Sequence, residues 1–207
     1  MNDKKSILQL WNNQIIRRHH KTKNIINKHI PSPKKHISPS ITNTKTDDIE
    51  KKPKLKVALL FFGITRSLKW TIASIKKKIF ESLKENNIDY DIFIHTYKLT
   101  SNYINPRANE NMNVSDIDND EYKLLEPDFL QIDIQDEIKK NINVHKYRTN
   151  SDPWGTKYVT VDNYILGCYS RAQLVKMVKQ SKNEYDYILY IRPDCTYTSK
   201  LNINYFN

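Results

Sequence analysis

Three short stretches of the chain hold the residues whose types and neighbours suit chemistry. In "FFGITRS", Gly63, Thr65 and Arg66 follow directly on an apolar run. A glycine lets the backbone approach a ligand closely, a helix starting there offers free N–H groups to an anion, and a forked guanidinium matches phosphate oxygens. The same residues also describe an ordinary strand-to-helix turn with a surface arginine, because one glycine is a far weaker signal than a glycine-rich phosphate loop. In "IFIHTY", His95 and Thr96 close a second apolar run. A polar pair in that position fits a ligand contact or a structural hydrogen bond to a neighbouring loop. In "YDYILYIRPDC", Pro193 has no N–H to continue a ladder, so the strand should stop there and turn Asp194 out at its carboxyl end. A carboxylate so placed can hold a hard divalent cation that binds a diphosphate in turn; the alternative is a salt bridge to Arg192 or Arg66. No Ser/His/Asp or Cys/His constellation can be assembled from the sequence, which leaves the catalytic residues unknown. Cys168 and Cys195 have neither metal-site nor disulfide spacing and read as reduced thiols.

These residues need elements that bring them together, and the hydropathy pattern supplies them. "LKVALLFF" is a continuous apolar run of strand length, as expected of a strand buried on both faces. Leu68, Ile72, Ile75, Ile79, Phe80 and Leu83 follow at helical spacing through about Asn86, with Thr65 or Ser67 placed to cap the first turn. Residues 90–97 read as a second strand, completing a βαβ unit. Residues 98–120 read as a long polar loop, "DEYKLLEP" as a short helix closed by Pro127, and "FLQIDI" (129–134) as a third strand. Residues 135–160 carry little periodicity, with a turn at Pro153, Trp154 and Gly155. A second helix is predicted from about Ser170 to Ser181, with Ala172, Leu174, Val175 and Val178 on its apolar side. It leads into the strand that ends at Arg192. The implied fold class is α/β, with a mostly parallel sheet whose ligands bind beyond the carboxyl ends of its strands.

The 207 residues suit one domain plus a tail. Of the formal net charge of +11, residues 1–56 carry +10, from 14 Lys and Arg against 4 Asp and Glu, and the remainder is near neutral at +1. Residues 1–30 therefore read as a basic tail, with a short amphipathic helix predicted over 6–18. Residues 31–54, with four prolines and almost no large apolar side chains, read as a disordered linker, and residues 55–207 as the domain. A tail acting on nucleic acid is the least favoured reading, since the body is neutral and the tail is short of aromatics. No apolar stretch approaches the ~18 to 20 residues needed to cross a bilayer, and the N-terminus lacks a signal-peptide core, so a cytoplasmic location is expected.

Taken together, "KVALLFFGITRSLKWTIASIKK", "YDIFIHTY" and "YDYILYIRPD" resemble a glycosyltransferase-like family found in capsular-polysaccharide gene sets and large DNA viruses. The matching positions are Gly63 and Arg66; Asp91, Phe93 and His95; and Asp186, Arg192 and Asp194. The resemblance spans roughly residues 55–198. It implies a GT-A fold, a Rossmann-like αβα sandwich that binds a nucleotide-sugar donor and transfers the sugar to a glycan or protein acceptor. It also implies a virion or host-cell setting if the chain is viral. Donor contacts would come from Gly63, Thr65, Arg66, His95 and Arg192, and Asp194 would hold Mn²⁺ or Mg²⁺. The family's metal motif usually has two carboxylates, whereas here Asp194 is followed by Cys195 and Thr196, and Thr196 would be the weaker oxygen ligand. Thirteen residues follow Asp194. This predicts a shortened relative, a protein partner that completes the site, or a binding or structural protein that has kept the fold without the chemistry.

Overall fold

In the computed structural model, residues 16–18, 54–152 and 154–206 are described, and all of them belong to one compact unit. The centre is a sheet of five strands: β1 (Ile16–Arg18), β2 (Lys56–Phe62), β3 (Asp89–Lys98), β6 (Phe129–Ile134) and β7 (Tyr187–Ile191). A separate two-stranded hairpin pairs β4 (Tyr103–Asn105) with β5 (Glu110–Met112). The order across the main sheet is β1-β7-β2-β3-β6, and β7, β2, β3 and β6 run parallel. The expected α/β class with a mostly parallel sheet is thus observed. Ile16–Arg18 pair antiparallel with the outer edge of β7. These three residues are extended rather than helical, since the edge of β7 offers them a ladder; the rest of the predicted 6–18 helix, and the linker up to Pro53, lie outside the described residues.

β2 is buried from Val57 to Phe61 because each of its faces meets a helical layer. Val57, Leu59 and Phe61 pack with Leu68, Ile75, Ile79, Phe80 and Leu83. These come from helix α1 (Leu68–Ile75), a π-helical stretch (Lys76–Phe80) and helix α2 (Glu81–Glu85). On the other face, Ala58, Leu60 and Phe93 pack with Leu174 and Met177. Those two belong to a long helix that follows α3 (Gln135–Asn141) and is here α4 (Val159–Ser181).

Several local expectations need correction. α4 starts at Val159 and not near Ser170, because its first buried positions are Thr160 and Asp162, which carry no apolar signal. Its buried face runs through Leu166, Ser170, Gln173, Leu174 and Met177, while Ala172 is exposed. The loop predicted for 98–120 contains the β4–β5 hairpin, turned at Asn109 with φ +52°. α3 falls in a stretch with almost no periodicity, and the short helix at 121–125 is 3₁₀.

Candidate functional site

Numbering the four parallel strands in chain order, the sheet reads 3-2-1-4. The chain moves outward from β2 through β3 to β6, then returns to lay β7 on the opposite side of β2. The strand order therefore reverses between β2 and β7, and a crevice opens beyond their carboxyl ends at such a reversal. The turn holding Gly63, Thr65 and Arg66 leaves β2 there, and Arg192–Asp194 leave β7 beside it, with Phe61 and Ile191 paired across the ladder. Two hydrogen bonds lock the turn after β7 to α1. Thr71 donates its hydroxyl to the Pro193 carbonyl at 2.5 Å, and Tyr197 N–H donates to Ser74 Oγ at 3.0 Å.

Gly63 adopts φ +94°, a conformation that strains any residue with a Cβ. Its N–H is shared between the His95 carbonyl (3.2 Å) and Ser170 Oγ (3.0 Å). Thr65 is buried, and its carbonyl accepts Leu68 N–H at 2.8 Å. The helix begins after Ser67, with no side-chain cap from either expected residue. Glu121, buried in the 3₁₀ segment, takes that role by accepting Lys69 N–H at 3.0 Å. The anion that the α1 N-terminus favours is thus partly supplied from within the chain, and contact with a phosphate falls to Arg66 and the turn itself.

The Arg66 side chain is only 6% exposed and pairs with Glu110 of β5 through Nη2. Its guanidinium lies 4.4 Å from the centre of the Tyr103 ring, and its buried Nε has no hydrogen-bond partner among the described residues. Arg192 is more open, with a side chain 52% exposed, and grips Asp194 through Nε (2.9 Å) and Nη2 (2.6 Å). Burial pushes the Asp194 carboxyl up, but the hydrogen bonds and charge of Arg192, and then the charge of Arg66, outweigh it and hold the group below the usual carboxylate range. Both arginines also act on the buried Tyr103 phenol, so the β2 turn, the β4–β5 hairpin and the β7 turn share one electrostatic neighbourhood.

His95 stands differently from the expected donor contact. It is fully buried, with Nδ1 at 2.8 Å from Ser170 Oγ and Nε2 at 3.0 Å from Asp133 Oδ2. Burial lowers its pKa more than Asp133 raises it, so the ring is neutral. Neutral wiring places the proton on Nε2, facing the carboxylate, and leaves Nδ1 an acceptor beside the single Ser170 hydroxyl hydrogen, for which the His95 carbonyl at 3.1 Å also competes. This is a Ser/His/Asp set that the sequence did not reveal, sealed in the core because Ser170 and His95 are both 0% exposed. With no path for a substrate to the hydroxyl, it ties α4, β3 and β6 together beneath the Gly63 turn. Asp133 carried a weak signal, as a charge inside the alternation of "FLQIDI"; Ser170, Glu110 and Tyr103 carried none.

The other matched acids lie at the opposite end of the sheet. Asp91 accepts the Tyr185 hydroxyl and Asn183 Nδ2, and Asp186 accepts Lys56 N–H at 2.9 Å, fixing where the strands begin. Cys195, beside Asp194, is an unpaired thiol that burial holds above its ordinary pKa, so it is not a ready nucleophile.

The residues present do not fit the expected divalent cation. Asp194 gives both oxygens to Arg192, Thr196 is exposed, and among the described residues no three His, Cys, Asp or Glu side chains stand together in a ligating group. A metal ion beside Arg192 and Arg66 would be repelled unless Asp194 let go of its partner. Among the described residues no helix is long and apolar enough to cross a membrane. No family model, curated protein or solved structure matches this chain.

Proposed function

We propose that this chain is a GT-A-like domain of the glycosyltransferase type that binds a nucleoside diphosphate sugar. The observation that carries the reading is the placement of two turns, Gly63–Arg66 and Arg192–Asp194, side by side where the 3-2-1-4 strand order reverses. In this reading the open Gly63 turn admits the nucleotide, Arg66 meets the diphosphate, and Arg192 closes the outer side. Thr65 shapes the turn from its buried position, and His95 holds the turn from below without touching the donor. A glycan or protein acceptor would approach over the β4–β5 hairpin, whose Glu110 already holds Arg66.

The runner-up is a binding protein with the same donor site and no transfer chemistry. It is favoured by the sealing of Ser170 and His95 away from the surface, since with Asp133 they form the constellation best wired for acid–base work. A thermal-shift screen of the whole chain against uridine, guanosine, cytidine and adenosine diphosphate sugars, with and without Mn²⁺, tests the shared claim. Stabilisation by at least one donor is expected, and none with any donor would defeat the proposal. Release of free sugar or transfer from the bound donor then separates the enzyme from the binding protein.

A further inference from the structure

We propose that two guanidinium groups, those of Arg192 and Arg66, take the place of a divalent cation, so that the diphosphate is bound without metal and Asp194 serves Arg192. This inference rests on the nucleotide-binding reading above and specifies how that site meets charge.

The geometry at Asp194 is the first ground. Arg192 engages the carboxylate sideways, through Nε and Nη2. An arginine has five N–H donors in a rigid fork, and this mode leaves both Nη1 hydrogens and one on Nη2 unused. Those remaining hydrogens form the end-on fork that binds two phosphate oxygens at once. The Arg192 backbone is fixed as well, with its N–H donating to Tyr197 Oη at 3.3 Å, and the side chain is half open to solvent. Asp194 thus sets the direction of a cation whose working edge faces outward.

The second ground is Arg66, which is independent of the first. A side chain 6% exposed whose Nε finds no acceptor among the described residues is an expensive feature, because a buried donor without an acceptor costs ~1–3 kcal/mol. Glu110 occupies only the Nη2 side, and Tyr103 covers one face. Nε itself is covered, so an incoming anion would meet the small part of the guanidinium that stays open. Phe61 and Ile191 pair across the β2–β7 ladder, so the turns that carry Arg66 and Arg192 leave the sheet side by side. A diphosphate with several negative oxygens is the ligand class that satisfies both forks; a neutral sugar or a base would satisfy neither.

Metal and guanidinium versions of this site give opposite results at Asp194. If the carboxylate ligates a cation, removing its charge abolishes metal-dependent binding. If it only aims Arg192, removing it loses some orientation but also deletes a negative charge beside an anionic ligand, and the two effects oppose each other. The test is calorimetric titration of the full chain with uridine diphosphate, guanosine diphosphate and inorganic pyrophosphate, in EDTA and again in Mn²⁺. The wild type is compared with Asp194→Asn, Arg192→Lys and Arg192→Gln. Melting curves check that each variant folds, and the exposed Arg192 side chain keeps the last two safe in that respect.

The expected result is binding in EDTA that Mn²⁺ changes less than threefold. Arg192→Gln should weaken it about tenfold, the scale of one charged bidentate contact, with Arg192→Lys falling in between. Asp194→Asn should bind equally in EDTA and in Mn²⁺, whatever orientation Arg192 loses. Binding that needs Mn²⁺ and collapses in Asp194→Asn would overturn this inference while leaving the nucleotide reading intact, as would EDTA-resistant binding that ignores Arg192→Gln. If neither diphosphates nor pyrophosphate bind in either buffer, the nucleotide reading fails and this inference falls with it.

Discussion

Replacing Ser170 by alanine isolates the tie beneath the Gly63 turn. The hydroxyl is fully buried and meets the His95 ring at 2.8 Å and the Gly63 amide at 3.0 Å. Gly63 keeps the His95 carbonyl at 3.2 Å, so its loss is one ordinary hydrogen bond, ~1 kcal/mol. The His95 Nδ1 has no substitute, and a buried polar atom left unpaired costs ~1–3 kcal/mol. Alanine in mid-helix returns roughly 0.5 kcal/mol through its higher propensity. The net loss is therefore about 1.5–3.5 kcal/mol, a sizeable part of the ~5–15 kcal/mol that holds a domain together. Urea unfolding followed by far-ultraviolet circular dichroism reads this directly. With a slope of ~2–3 kcal/mol per molar, the midpoint should fall by roughly 1 M. Ser170→Ala and Asp133→Asn should also be non-additive, since both act on one imidazole. A loss below about 0.5 kcal/mol, or strict additivity, would refute the tie, because such values belong to surface sites with independent partners.

Acid should weaken the fold through the same histidine. Burial holds His95 below the ordinary pKa, so as pH falls past about 6.5 the unfolded chain takes up the proton first. Stability is then full above that pH and declines toward the lowered folded value. The groups facing the ring are Asp133 from β6, Tyr97 from β3, and Ser170 and Tyr169 from α4; Asp133 is itself held low and stays charged through this window. His95→Phe should flatten that part of a stability-versus-pH curve, and an unchanged slope would assign it elsewhere. Gly63→Ala should cost ~1–2 kcal/mol by equilibrium unfolding, from backbone strain at φ +94° alone, since the space for a Cβ is open. A neutral result would mean that the turn relaxes. Leu174→Ala should cost ~2–5 kcal/mol, because Leu174 is fully buried against Ala58, Leu60 and Phe93; a loss below 1 kcal/mol would place α4 wrongly.

How much of this was legible depends on where each element hides its side chains. β2, β3 and β7 could be read because strands covered on both faces need uninterrupted apolar residues, and "KVALLFF" and "YILYI" supply them. The first half of α4 could not, since Thr160 and Asp162 fill its buried positions: Arg148 satisfies Asp162 with two hydrogen bonds, at 3.2 and 2.6 Å. Hydropathy does not register a buried polar group that finds its partner fourteen residues away. α3 has little beyond Ile138 to mark it, and the hairpin turn rests on Asn109, one asparagine among many. The same limit applied to the site. Gly63, Arg66 and Asp194 could be picked out because each interrupts or ends an apolar run. Glu110, Tyr103, Ser170 and Asp133 could not, because their roles arise only from contacts made across the sheet. The choice between a cation ligand and a salt bridge at Asp194 was also beyond the sequence, for it turns on which edge of Arg192 faces the carboxylate.

The central claim is that the two turns at the strand-order reversal form one binding site for a nucleoside diphosphate. Amide chemical shifts of the ¹⁵N-labelled full chain, followed while uridine or guanosine diphosphate is added, test it most directly. The account predicts saturable shifts shared by residues 63–67 and 192–195, with the Tyr103–Met112 hairpin moving alongside and the amino ends of the strands near Asp91 and Asp186 unmoved. Shifts confined to the basic residues 1–54, or to the Asp91 end of the sheet, would contradict it.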